Sequence, residues 1–228
     1  MGRPTSTGPR RGRPSKFSPE DAVEAALDIG VSTFTMAAVA EKLGITSPAL
    51  YRCFSSRDDL LEACLRKISS RVTDPPHCED WREFLGTVAD SAWDMFTRYP
   101  YLEAVFTSQT RSLRAVFPVT DQFLTQLSEF GFTWRQSVFS LMYITDLTTS
   151  AVAHLQRQLA EFLRDRDSPG ARVFRGPDDE PLTDGESLTE ASRRQWRSTV
   201  DFFLDHLAVV APRWPEYTGP VARPPQPQ

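Results

Sequence analysis

Apolar residues along the chain recur with the three-and-four spacing of helices. Ser18-Pro19-Glu20-Asp21 reads as a helix start, with Ser18 as cap and proline at the first helical position. Phe17, Ala22, Ala25, Ala26 and Ile29 form its stripe, which stops at Gly30. Thr35 caps a second helix whose buried face is Met36, Val39, Ala40 and Leu43. Gly44 supplies the left-handed residue that closes it, and Ile45 plugs the corner. Thr46 or Ser47 then caps a short third helix with Pro48 just inside it. Leu50 faces back toward the second helix, leaving Ser47, Ala49, Tyr51 and Arg52 outside. Ser55 or Ser56 opens a fourth helix through Leu60, Leu61, Cys64, Leu65 and Ile68, to about Val72.

Asp74-Pro75-Pro76 breaks the pattern and marks a domain boundary. Trp81, Phe84, Leu85, Val88, Ala92, Met95, Phe96 and Tyr99 predict an amphipathic helix over 79–99, ending before Pro100. Helices are expected at 101–108, near 114–130, and over 133–164, the longest periodic run. Its middle, Tyr143 to Val152, is apolar and threonine-rich all round, so it must be covered on both faces. Residues 165–188 are rich in proline, glycine and charge and predict a loop. Helix resumes at Thr189 and ends at Pro212. The expected architecture is all-α. It comprises a disordered basic arm (1–16), a helix-turn-helix DNA-binding domain with a linking helix (17–72), a helical ligand-binding and dimerisation domain (79–212) and a disordered tail (213–228).

Charge sharpens this picture. The net charge of −4 argues against nucleic acid, but its distribution does not. Residues 1–72 hold 11 Lys/Arg against 8 Asp/Glu, whereas residues 73–228 hold 15 against 22. A basic end on an acidic body suits a DNA-contacting head. Arg11-Gly12-Arg13-Pro14 resembles an AT-hook core. It either inserts Arg11 and Arg13 in a narrow A·T minor groove or adds only phosphate attraction as a solvated tail.

Enzyme chemistry is not visible. There is no glycine-rich phosphate loop, zinc signature or nucleophile elbow. Asp146 and His154 could form an acid–base pair, but nothing supplies a nucleophile or oxyanion donors, so no enzyme is predicted. No cofactor or metal site is expected. Cys53, Cys64 and Cys78 lack metal or disulfide spacing and read as reduced thiols of a cytoplasmic protein. No run of about 18 apolar residues predicts a membrane span. Dense aromatics in the body suit a pocket for a small apolar molecule, with Trp93, Phe96, Phe106, Gln122, Trp134, Tyr143, Asp146 and His154 as candidate lining.

Thr35, Val39, Ala40, Leu43, Gly44, the run Ser47-Pro48-Ala49-Leu50-Tyr51-Arg52, and Phe54, Arg57, Leu60 and Leu61 are similar to the DNA-binding domain of the tetracycline-repressor (TetR) family. The resemblance covers about residues 17 to 65, roughly a fifth of the chain. It implies an all-helical homodimer, a short recognition helix in the major groove, and a C-terminal domain that binds a ligand. Cys53 departs from the pattern, since members often carry His there. On this reading Arg52 and Ser47 address base edges. Tyr51 packs on sugar-phosphate or a thymine methyl, and Arg57, Thr35 and Thr46 hold phosphates, with Pro48 and Ala49 on the same surface. The helices near 133–164 and 189–211 either pair with their symmetry mates, as the resemblance implies, or bury against their own domain. The expected function is a repressor released from double-stranded operator DNA by a small-molecule effector. The alternative is a helical carrier or scaffold that binds small molecules but no DNA.

Overall fold

The computed structural model describes residues 17–71, 78–108, 117–164 and 185–210. Among these residues the chain is helical throughout, with no strand. The helices are α1 (Pro19–Ile29), α2 (Met36–Lys42), α3 (Ser47–Tyr51), α4 (Arg57–Ser69), α5 (Trp81–Arg98), α6 (Leu102–Ser108), α7 (Phe117–Glu129), α8 (Trp134–Arg164) and α9 (Gly185–Val210). The arm with Arg11 and Arg13, the 74–76 boundary, most of the expected 165–188 loop and the 213–228 tail lie outside the described residues.

The head, α1 to α4, is built by strong local signals. In a capping box, Ser18 N–H donates to the Asp21 carboxylate and Asp21 N–H donates to the Ser18 hydroxyl. Gly44, at φ +63, ends α2 in a Schellman turn: Ile45 N–H donates to Ala40 O at 3.0 Å and Gly44 N–H to Glu41 O at 3.0 Å. That turn swings the chain sharply, so α3 begins only five residues after α2 ends. Ser56 rather than Ser55 caps α4, accepting from Asp59 N–H at 3.1 Å. Helix α1 packs on α2 and α4, and α2 on α3, over a core of Ala22, Ala26, Val39, Leu50, Leu60 and Leu61. Helix α4 stops at Ser69, slightly short of the expected end near Val72.

The body is layered on α8, which has 31 residues and runs roughly 46 Å. Helices α5, α6, α7 and α9 all pack on it, and α5 also packs on α9. At mid-height the Trp93 and Trp196 rings lie 4.7 Å apart. The buried Trp196 indole donates to Thr148 Oγ1 at 3.2 Å, and Thr148 in turn donates to Ile144 O at 2.7 Å. This explains the threonines of the apolar run. The half-buried Thr145 and the buried Thr148 and Thr149 satisfy their hydroxyls on carbonyls of their own helix, so Thr148 and Thr149 enter the core without an orphan donor. One flank of the α5–α9 contact is charged: Arg82 pairs with Asp205 at 2.7 Å, Arg193 with Asp94 at 3.2 Å, and Arg197 with Asp90 and Asp201. Gly86 leaves room for Arg197, whose Nη2 would lie 3.0 Å from a Cβ added there. Helix α9 starts at Gly185, four residues before the expected Thr189.

Candidate nucleic-acid interface

Helix α3 is five residues long and spends one of them, Leu50, on the core. Thr46, Pro48, Tyr51 and Arg52 are exposed, and Tyr51 retains 51% of its surface. Ser47 and Ala49 are half-buried rather than fully outside. Thr46 makes no side-chain capping hydrogen bond, which leaves its hydroxyl for another partner. Thr35 caps α2 through Ala38 N–H at 3.1 Å, and its own proton remains available to an acceptor. These residues carry the small, aromatic and cationic groups on a short protruding helix that a major groove requires.

Arg57 is different, since its guanidinium is engaged within the head. Its Nε donates to Phe34 O at 3.0 Å and its Nη2 to Ser32 O at 2.8 Å. The guanidinium also lies over the Phe34 ring. The turn between α1 and α2 leaves these carbonyls without helical partners, and the half-buried Arg57 satisfies them. Two of its donors are therefore turned into the head, beside Thr35 and the start of α2.

The expected pocket residues do not converge. Trp93 is buried against Trp196 as a body-core pair, whereas the buried Phe96 meets the half-buried Phe106 edge-on at 5.2 Å. Trp134 is half-buried at the start of α8, and Gln122 is exposed on α7. Tyr143, Asp146 and His154 are exposed on α8, with Tyr143 stacked between Phe139 at 5.8 Å and Phe203 at 4.4 Å. His154 Nε2 lies 2.6 Å from Gln158 Nε2. Met142 and Tyr143 of α8, with Phe202 and Val209 of α9, keep 54%, 41%, 74% and 66% of their surface. The aromatic composition was visible in sequence, but its division into core pairs and an outer face depends on which side of each helix is covered.

Residues 20–64 match the family model described as bacterial regulatory proteins, tetR family. Residues 74–208 match that of the tetracyclin repressor-like C-terminal domain, more than half of the chain. The chain belongs to the TetR family. It is 32% identical over 150 residues to the class A tetracycline repressor protein from transposon 1721 of Escherichia coli, covering 62% of this chain and 68% of that protein. Among solved structures, class A TetR in complex with 5a,6-anhydrotetracycline and magnesium superposes with a TM-score of 0.60 at 26% identity, over 85% of this chain and 99% of that one. A single-residue variant of TetR from Acinetobacter baumannii AYE in complex with minocycline gives 0.66 at 19% identity, over 90% and 100%. As a TetR-family member, the chain is a helix-turn-helix transcriptional regulator, with α2 and α3 as the motif.

Several residues outside the motif make contacts that residue order does not signal. Arg71 donates through Nη1 to the Tyr99 hydroxyl, and its Nη2 lies 3.5 Å from Glu24. Glu103 is buried on α6, and desolvation raises its carboxyl pKa. Periodicity carries no signal for either, since both depend on which helices meet. No helix among the described residues is long and apolar enough to cross a membrane.

Proposed function

We propose that this TetR-family chain acts as a homodimeric repressor, released from operator DNA by a small, largely apolar effector. The observation that carries the DNA half is α3 itself, which holds on by Leu50 and leaves Tyr51 and Arg52 in solvent. In this reading Arg52 and Ser47 address base edges, and Tyr51 packs on the backbone or a thymine methyl. Thr35 and Thr46 hold phosphates, and Arg11 and Arg13 enter the flanking minor groove. Two heads then occupy successive major grooves, about 34–36 Å apart or modestly more.

The dimer reading is supported by the exposed apolar residues on the outer sides of α8 and α9. A face of large apolar groups on two adjacent long helices is what an isologous four-helix contact buries. Tyr143, Asp146 and His154 fall to that face rather than to an effector pocket. The effector is assigned to the aromatic interior between α5, α6 and α8, where Phe96 and Phe106 meet. The class A TetR complex with 5a,6-anhydrotetracycline and magnesium makes tetracycline-type compounds the first to screen. Such a compound acts only through different affinities for the DNA-competent and released geometries. No catalytic step is part of this reading.

The test is selection of binding sites from random duplex DNA by the full chain, followed by footprinting and a compound screen for release. A near-palindromic footprint released by a compound is the expected outcome. Indifference to DNA at low salt would instead favour a small-molecule carrier.

A further inference from the structure

We propose that Arg71 and Tyr99 are a positioning pair that fixes the tilt of the head on the body, and thereby the half-site spacing the dimer reads. The proposal rests on the homodimeric DNA-binding reading given above.

Arg71 stands just beyond the end of α4, the last helix of the head. Its two terminal nitrogens face different parts of the molecule. Nη2 lies 3.5 Å from Glu24 Oε1 of α1, a carboxylate also paired with Lys67 of α4. Nη1 donates to the hydroxyl of Tyr99. One planar guanidinium thus joins α1 and α4 to the body.

Tyr99 is a firm anchor. It caps α5, with its N–H on Met95 O at 3.1 Å and its carbonyl accepting from Leu102 N–H at 3.0 Å. Pro100 follows, and then Tyr101 at φ +63, a left-handed backbone that a bulky residue rarely adopts. Tyr101 N–H donates to Gln156 Oε1 of α8 at 3.2 Å, and the other end of that amide approaches Glu103 Oε2 at 3.5 Å. The corner 99–103 is therefore pinned to α8, the helix that also carries the outer apolar face. A polar path runs from α8 through the corner to Tyr99, Arg71 and α1.

Leverage makes this contact matter. Helix α4 has 13 residues and spans roughly 20 Å, and α3 precedes its far end. A tilt of about 10° at Arg71 moves that far end by roughly 3.5 Å, close to one base-pair step of about 3.4 Å. Small freedom at the Arg71 contact becomes a base-pair error at the groove. Removing the Tyr99 hydroxyl releases the tilt without touching the core or α3.

The test uses full-length protein carrying Cys78→Ser, with a nitroxide on exposed Cys53 of each protomer and buried Cys64 left unlabelled. Pulsed electron resonance reads the head-to-head distance, and unlabelled protein is run against operators with spacers lengthened or shortened by one base pair. Tyr99→Phe and Arg71→Gln are each expected to broaden the distance distribution at unchanged thermal midpoint. Preference for the best spacer over its neighbours is expected to fall by roughly threefold or more, the scale of one partly exposed hydrogen bond. A narrow wild-type distribution and spacer preference that persist in both variants would overturn the proposal alone. A wild-type chain that stays monomeric would overturn it together with the dimer reading.

Discussion

The Arg57 guanidinium lies 4.7 Å from the centre of the Phe34 ring and donates to the carbonyls of Ser32 and Phe34 in the α1–α2 turn. The side chain works as a strut, holding the start of α2 against the start of α4. Arg57→Ala should lower head stability by about 1–3 kcal/mol, because two carbonyls lose charged donors. Its effect on operator binding should follow the fraction folded. A salt titration distinguishes this from a phosphate contact: the slope of affinity against salt should stay at the wild-type value, whereas a lost phosphate contact lowers it by about 1.

Arg52 should behave in the opposite way. It is exposed just past α3, so Arg52→Ala should leave the thermal midpoint unchanged. Operator affinity should drop by about 1–3 kcal/mol, with relaxed preference at the contacted base. Competition between the selected operator and single-base variants measures it, and an unchanged preference profile would remove Arg52 from the reading set.

Phe202 keeps 74% of its surface in the single chain. Phe202→Asp should not disturb the body core, yet it places a charge on the proposed dimer face. Sedimentation should then report the monomer mass at concentrations where the wild type is dimeric, with operator binding lost in parallel. A dimer of unaltered affinity would move the interface away from α9.

The thiols should separate cleanly by reactivity. Burial pushes the Cys64 thiol up to about 12, and the side chain is inaccessible. At pH 8 only about one part in ten thousand of such a group is thiolate. A chromogenic disulfide reagent should titrate the exposed Cys53 at once, while Cys64 responds only on unfolding.

Glu103 should give the body a pH dependence. Desolvation raises its carboxyl pKa, so the folded state holds its proton more tightly than the unfolded chain. Its contribution to stability is therefore fully present below the unfolded value of about 4.3 and is lost as pH rises through the higher folded value. Glu103→Gln should raise the thermal midpoint at pH 7 relative to wild type, and the two curves should converge toward pH 4. Parallel curves at all pH values would show that the carboxyl is not penalised by burial.

How much of this could be read from residue order varies by part. The head was legible almost to the residue, because its signals are local: Ser18, Thr35, Gly44 and Ser56 each act within a few positions of where they stand. The bounds of α5 and α8 followed from periodicity for the same reason. The inward bonds of Arg57 are not legible because its partners, Ser32 and Phe34, are more than twenty positions away. Sequence shows a cation beside a helix start, but not which way its side chain turns. Trp93 and Tyr143 show the same limit in the body. Both are aromatic on periodic helices, but one meets Trp196 in the core and the other lies on the outside. Only the packing of α5, α8 and α9 separates those fates.

Helix α3 anchors itself through a single side chain, Leu50. The neighbouring Tyr51 and Arg52 contribute little to whether the head folds, and Leu50 contributes nothing directly to which bases are read. On the proposed reading, recognition and foldability are written in separate letters of the same short word. On that reading, drift at the exposed letters would retarget the protein to a new operator while the domain stays intact. A descendant with an altered site would then be expected to keep Leu50 and Gly44 while its outward residues change.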